Sequence, residues 1–142
     1  ANSINEGGKP FVDLTAQGCP FFAGRVALRQ RISLLQAPQR ALLDIENVRA
    51  AVVRVRVNGA EQGVMGWDPY RADVTGGLRA GENLIELEVI GTLRNLLGPH
   101  HLAGGERERT SPDTFRDKRH WTDDYILVPF GVGRTSLLFL EG

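Results

Sequence analysis

The sequence predicts an all-β protein, a two-sheet antiparallel sandwich of about eight strands with at most short helical turns. Three observations predict it. Apolar and polar residues alternate over several short runs, the period of a strand with one dry and one wet face. Seventeen glycines and seven prolines fall between those runs at fairly regular intervals, as turns do. Helical spacing is confined to Leu93, Leu96 and Leu97, which Gly98-Pro99 stops within about two turns.

Each element follows in chain order. Val26, Leu28, Ile32 and Leu34 alternate with Ala27, Arg29, Arg31 and Ser33. Leu43 and Ile45 alternate with Leu42, Asp44 and Glu46, and Val53, Val55 and Val57 with Arg54 and Arg56. Asn58-Gly59 follows at once. Both residues tolerate positive φ, so a type I′ hairpin into residues 60–66 is expected. Turn clusters at 73–77 and 80–83 flank Leu78, and Ile85, Leu87 and Val89 then alternate with Leu84, Glu86 and Glu88. Ser111-Pro112-Asp113 reads as an N-cap with proline at N1, opening one turn through Phe115. Residues 125–130 and 135–140 read as two closing strands separated by Gly131-Val132-Gly133. The least strand-like region is 98–124. Nine of the sixteen residues in 104–119 are charged, so this segment belongs in solvent, and a loop of that length is either functional or disordered.

Length and charge bound the function. At 142 residues and 15.6 kDa the chain is one domain, 1–142, long enough to bury a core without staples. Seventeen basic side chains balance seventeen acidic ones. That argues against a nucleic-acid module and against a polybasic membrane contact. No apolar run approaches the ~18 residues that span a bilayer. The single cysteine, Cys19, leaves no intrachain disulfide and no cysteine zinc cage, and it fixes no compartment. Residues 1–6 have neither the charged start nor the apolar stretch of a signal peptide. With no initiator methionine, the chain reads as a mature form or an excised domain.

Residues 43–101 carry a resemblance. In order they hold Val55-Arg56-Val57-Asn58-Gly59, Gly63, Trp67-Asp68-Pro69-Tyr70, Asp73-Val74-Thr75, Gly81-Glu82-Asn83 and Glu86-Leu87-Glu88-Val89. This series resembles the sugar-binding, galactose-binding-like jelly-roll domain of glycoside hydrolase family 2 and of related bacterial glycosidases such as rhamnosidases. The run from Thr92 through Leu96-Leu97-Gly98-Pro99-His100-His101 is similar to a continuation in a subset of those domains. Gly18, Pro20-Phe21-Phe22-Ala23-Gly24 and the stretch from Tyr125 to Gly131 fit that subset too. Cys19 departs from it, since a bulkier apolar residue is common there. Each motif also has a purely structural reason to exist. Asn58-Gly59 and Gly81-Glu82-Asn83 make turns, Asp73 and Thr75 cap one, and Pro69 fixes its own φ.

The resemblance implies a non-catalytic carbohydrate-binding accessory domain of a larger glycoside hydrolase, periplasmic or secreted, with carbohydrate and the parent's catalytic domain as partners and neither nucleic acid nor membrane among them. The alternative is a purely structural sandwich that packs against that catalytic domain. Sugar recognition needs flat apolar rings for C–H faces and planar polar groups for hydroxyls. Trp67, Asp68, Tyr70 and Arg71 supply one such set, and His100, His101 and Trp121, with Asp123 and Asp124 nearby, supply another. Asp68 and Arg71 would bracket hydroxyls while the aromatic residues stack; each aromatic could equally be packing. No metal or cofactor is expected. His100 and His101 are adjacent and point apart in extended chain, nothing fixes their convergence with His120, and no carboxylates have the spacing of a calcium loop, although such folds can carry a structural Ca²⁺. The sequence has no nucleophile elbow, phosphate loop or zinc-protease motif, and no catalytic residue is nominated.

Overall fold

The computed structural model describes residues 2–3, 11–105 and 111–140. Two four-stranded antiparallel sheets face one another. The first has the order β1 (Asn2–Ser3), β10 (Thr135–Phe139), β4 (Ala41–Ile45), β7 (Arg71–Asp73). The second has the order β3 (Arg25–Leu34), β8 (Gly81–Ile90), β5 (Val52–Val57), β6 (Ala60–Met65). A two-stranded ribbon joins β2 (Phe11–Asp13) to β9 (Gly131–Gly133). The expected sandwich is therefore present, with eight strands in its two sheets. The helical content is α1 (Arg94–Leu97) and short 3-10 turns.

The alternation dictates the core. Leu43 and Leu137 from one sheet meet Val53, Val55, Val57, Ile85, Leu87 and Val89 from the other, all buried to within 2%. Burying such a side chain stabilises the fold by about 1.5–3 kcal/mol each. The edge strand β3 contributes less, and its Val26, Leu28, Ile32 and Leu34 pack on the core only partly buried. The opposite parities form the outer faces, where arginines cover the carboxylates of β8. On the outer side of the second sheet Glu86 accepts from Arg29 and Arg56, and Glu88 from Arg25 and Arg54. These carboxylates come from the central strand, and their arginines from the strands on either side.

The turns match their chemistry. Asn58 and Gly59 have φ of 52° and 85°, the paired positive values of a type I′ hairpin. The Asp73 carboxylate accepts from both the N–H and the hydroxyl of Thr75, at 3.0 and 2.6 Å, and the Thr75 hydroxyl accepts from Ala41 N–H. Pro112–Phe115 forms the expected turn, with Ser111 N–H donating to the Thr114 hydroxyl. Of the charged run, residues 106–110 lie outside the described residues.

Two expectations are corrected. Gly81-Glu82-Asn83, expected as a turn, opens β8 and is paired with β3 from Gly81 onward. Residues 125–130 form no strand, whereas Gly131–Gly133, taken as the gap, is β9. The reason is competition for backbone groups. The buried Asn95 side chain donates to the Val128 carbonyl at 2.8 Å and accepts from Val128 N–H at 2.9 Å. Ile126 N–H goes to the His100 carbonyl and Phe130 N–H to Asp13. The segment thus has its partners without a ladder.

The register also sets where the loops gather. Arg25 pairs with Ile90, Val52 with Ile90, Val53 with Met65, and Ile45 with Thr135. The start of β3, the end of β8, the start of β5 and the end of β6 therefore share one end of the sandwich. The backbone of Arg49 exchanges both hydrogen bonds with Gly131, and Gly91 N–H bonds Gly24, bringing the ribbon and both flanking loops to that same end.

Candidate functional site

All seven nominated residues emerge at this loop-rich end, in two groups. Trp67, Asp68 and Tyr70 lie on the crossover from β6 to β7, and Arg71 opens β7. His100, His101 and Trp121 lie on the long connection from β8 to β9.

The first group divides. Tyr70 packs against the core, and its carbonyl accepts from Ile45 N–H. Arg71 sits opposite Asp44 in the β4–β7 register and donates its Nε to that carboxylate at 2.8 Å. Trp67 is 81% exposed and has neither a ring contact nor a side-chain hydrogen bond among the described residues. Asp68, also exposed, precedes Pro69 through a cis peptide bond.

The second group converges. Leu102 and Trp121 form an isolated antiparallel bridge. Thr122 N–H donates to the His101 carbonyl, and Ala103 N–H to that of His120. Pairing the two segments sets the His101 imidazole against the Trp121 indole, with centroids 4.5 Å apart and planes 24° from parallel. Tyr125 meets His101 at 4.8 Å and His100 at 5.7 Å, and Phe21 meets Tyr125 edge-on at 5.3 Å. The result is a continuous row, Trp121–His101–Tyr125–Phe21, with His100 beside its inner end.

Polar contacts fix this row. Trp121 Nε1 donates to Asp123 Oδ1 at 3.1 Å. His101 Nδ1 lies 3.0 Å from the Thr122 carbonyl, and His100 Nε2 lies 2.7 Å from that of Asn95. A carbonyl only accepts, so each of those ring nitrogens carries the proton. His120 is turned elsewhere, donating Nδ1 to Asp117 at 2.7 Å. That hydrogen bond, ahead of burial, which opposes it, holds the Asp117 carboxyl below its ordinary range. Among the described residues no three His, Cys, Asp or Glu side chains converge as metal ligands.

Three members of this site were not nominated from the sequence. Phe21 and Tyr125 stand in motifs that support the resemblance, and Asp123 stands beside the nominated residues. Phe21 is distant in sequence from the others, and Tyr125 reads as the first residue of a strand. The available signal was the pair of aromatic residues at 21–22 in a segment rich in Gly and Pro, where no core strand needs them.

The sheets and their loop cluster define a β-sandwich module, and comparisons with known proteins say where such modules occur. No protein-family model matches the chain. Over 95 residues it is 30% identical to a Formosa agariphila protein bearing the name "Putative beta-glucuronidase", covering 64% of this chain and 8% of that one. In structure it is similar to a rhamnosidase from Novosphingobium sp. PP1Y, with a TM-score of 0.58 and 24% identity, over 94% of this chain and 12% of that chain. It is also similar to a β-D-mannosidase from Dictyoglomus thermophilum, with a TM-score of 0.54 and 19% identity, over 92% of this chain and 18% of that one. The chain resembles a β-sandwich domain of glycoside hydrolases, and it spans less than a fifth of each of these relatives.

Proposed function

We propose that this chain is a non-catalytic accessory module of a larger glycoside hydrolase, and that it binds carbohydrate on the aromatic row. The observation that carries this reading is the state of Trp121. Its indole is backed on one face by His101 and pinned at its edge by Asp123, yet the residue remains 53% exposed. A ring held in place loses little entropy when a sugar settles on it, and its face suits the C–H patch of a pyranose. Tyr125 packs on His101 in turn, and Phe21 on Tyr125, so the backing of the indole is itself held in place. Trp67 and Asp68, at the same end of the sandwich, are the second set of contacts. Trp67 has no such backing, so its contribution is the smaller. A shallow site of this kind binds weakly.

The test is a glycan array followed by calorimetric titration of the chain with methyl glycosides, rhamnosides and mannosides included. Millimolar binding that Trp121→Ala abolishes, and Trp67→Ala weakens less, supports the reading. No binding to any glycan at millimolar concentration overturns it.

One observation favours a second reading, in which the module packs against a catalytic domain. Leu93, Leu96 and Leu97 at α1 are each at least half exposed, an unusual cost for a free surface. Deleting the module from its parent enzyme would then lower stability or turnover on soluble substrate. Loss of attachment to insoluble glycan alone counts against this reading.

A further inference from the structure

Among the described residues, the unpartnered side-chain atoms nearest the Trp121 edge are acceptors, and the Tyr125 hydroxyl, further along the row, can also donate. His101 donates Nδ1–H to the Thr122 carbonyl, so in the neutral ring Nε2 carries the lone pair. His100 is the mirror case: Nε2–H goes to Asn95, and Nδ1 is bare. Neither bare nitrogen has a partner among the described residues. Asp123 gives Oδ1 to the indole N–H, while its Oδ2 and the whole carboxylate of Asp124 have no partner among the described residues. The basic side chains just before Trp121 turn to another carboxylate. His120 donates to Asp117, and Arg119 Nε lies 3.9 Å from the same carboxylate.

We infer that the site selects neutral sugars through their hydroxyl donors and rejects uronic acids. This rests on the carbohydrate reading above and narrows its ligand class. A sugar on the Trp121 face turns its equatorial hydroxyls outward, toward the indole edge where Asp123 stands. A hydroxyl there donates to Asp123 Oδ2. A sugar carboxylate there has no proton to give and meets the Asp123 charge instead. Two like charges a few ångströms apart at a protein surface repel, the more so as water is displaced from between them.

The test uses three pairs of methyl glycosides that differ only at C6: glucoside and glucuronide, galactoside and galacturonide, mannoside and mannuronide, with methyl rhamnoside as a further neutral probe. Binding is measured by titration at pH 8 in low salt. The inference expects binding by neutral glycosides, with the uronide partner of any binder roughly tenfold weaker. Asp123→Asn keeps an acceptor for the indole and should bring the uronide to within about twofold of its neutral partner. A uronide that binds wild type as tightly as its neutral partner overturns this inference and leaves the carbohydrate reading standing. An Asp123→Asn variant that still discriminates as wild type does overturns the assigned cause. Absence of binding by every glycoside overturns both readings.

Discussion

The side-chain amide of Asn58 donates to the side-chain carbonyl of Asn83 at 2.8 Å, joining the β5–β6 hairpin to the start of β8, 25 positions away. Asn58 also donates to the Gly77 carbonyl and accepts from Leu84 N–H. Asn83, 2% exposed, accepts a second bond from Arg79 N–H and donates to the carbonyls of Arg79 and Gly81. Every donor and acceptor of the Asn83 amide is used. Asn83→Ala strands several of these groups in a dry site and should cost about 2–4 kcal/mol. Asn58→Ala should cost less, because its site is exposed. The double variant should lose less than the sum, since the two share a bond. Urea midpoints at constant m measure all three.

Adjacent glycines make a paired test. A Cβ on Gly77 would lie 2.8 Å from the Val57 Cβ and 2.8 Å from Gln62 Cδ, whereas one on Gly76 meets nothing within 4 Å. Val57 is core and cannot retreat. Gly77→Ala should therefore destabilise by about 1–3 kcal/mol, and Gly76→Ala should leave stability within about 0.5 kcal/mol.

Thr135 is 1% exposed, and its hydroxyl has no hydrogen-bond partner among the described residues. Valine has nearly the same shape and keeps the β-branched form that suits β10. Thr135→Val should raise stability by about 1 kcal/mol, read as a higher thermal midpoint. A lower midpoint would mean that the hydroxyl does have a partner.

Stability should fall in acid. The Thr75 hydroxyl, then its N–H, holds the Asp73 carboxyl below its ordinary 3.8. Arg29, then Arg56, does the same for Glu86 against 4.5. Burial pushes Asp13 up, but bonds from the Thr15 hydroxyl and Phe130 N–H outweigh it and leave it lowered from 3.8. Folded values below unfolded ones mean that the stabilisation is complete above the unfolded values and is lost as pH falls through the folded ones. Urea midpoints should be flat from pH 5 to 7 and drop below about pH 4.5. Asp13→Asn should flatten the drop. The Glu86 share should shrink in 1 M salt, because its arginines are solvated.

Asn95 separates fold from site. Its amide is what holds residue 128, and through it the approach of Tyr125 to the row. Asn95→Ala should leave the two sheets protected in hydrogen exchange, with Val128 N–H exchanging faster, and should weaken glycoside binding severalfold. Collapse of protection throughout the sheets would place Asn95 in the core of stability instead.

What the sequence made legible was local. Val53, Val55 and Val57 declared a half-buried strand, and Asn58-Gly59 declared its turn, because both depend on neighbours a few residues away. That Asn58 would bond Asn83 was not legible, since each residue justified itself as a turn former. Residues 125–130 misled for a related reason. Their apolar pattern suits a strand, and only a distant amide, Asn95, took the bonds that a ladder would have used. Gly131-Val132-Gly133 looked like a break because glycine pairs poorly in strands, yet β9 is buried throughout, where lack of bulk is an asset. The site followed the same rule. Its loop aromatics on one connection could be nominated together, while Phe21 joined them only through the tertiary fold.

The arginines of β3 have an effect beyond their partners on β8. This strand runs ten residues along the rim of its sheet, with no strand on its outer side among the described residues. Such a rail invites a twin. A second β3 laid alongside in the antiparallel sense about Leu28 would set Arg25 against Arg31 at both ends of the seam, cation facing cation. The same guanidinium groups that knit one molecule together thus oppose that edge-to-edge pairing.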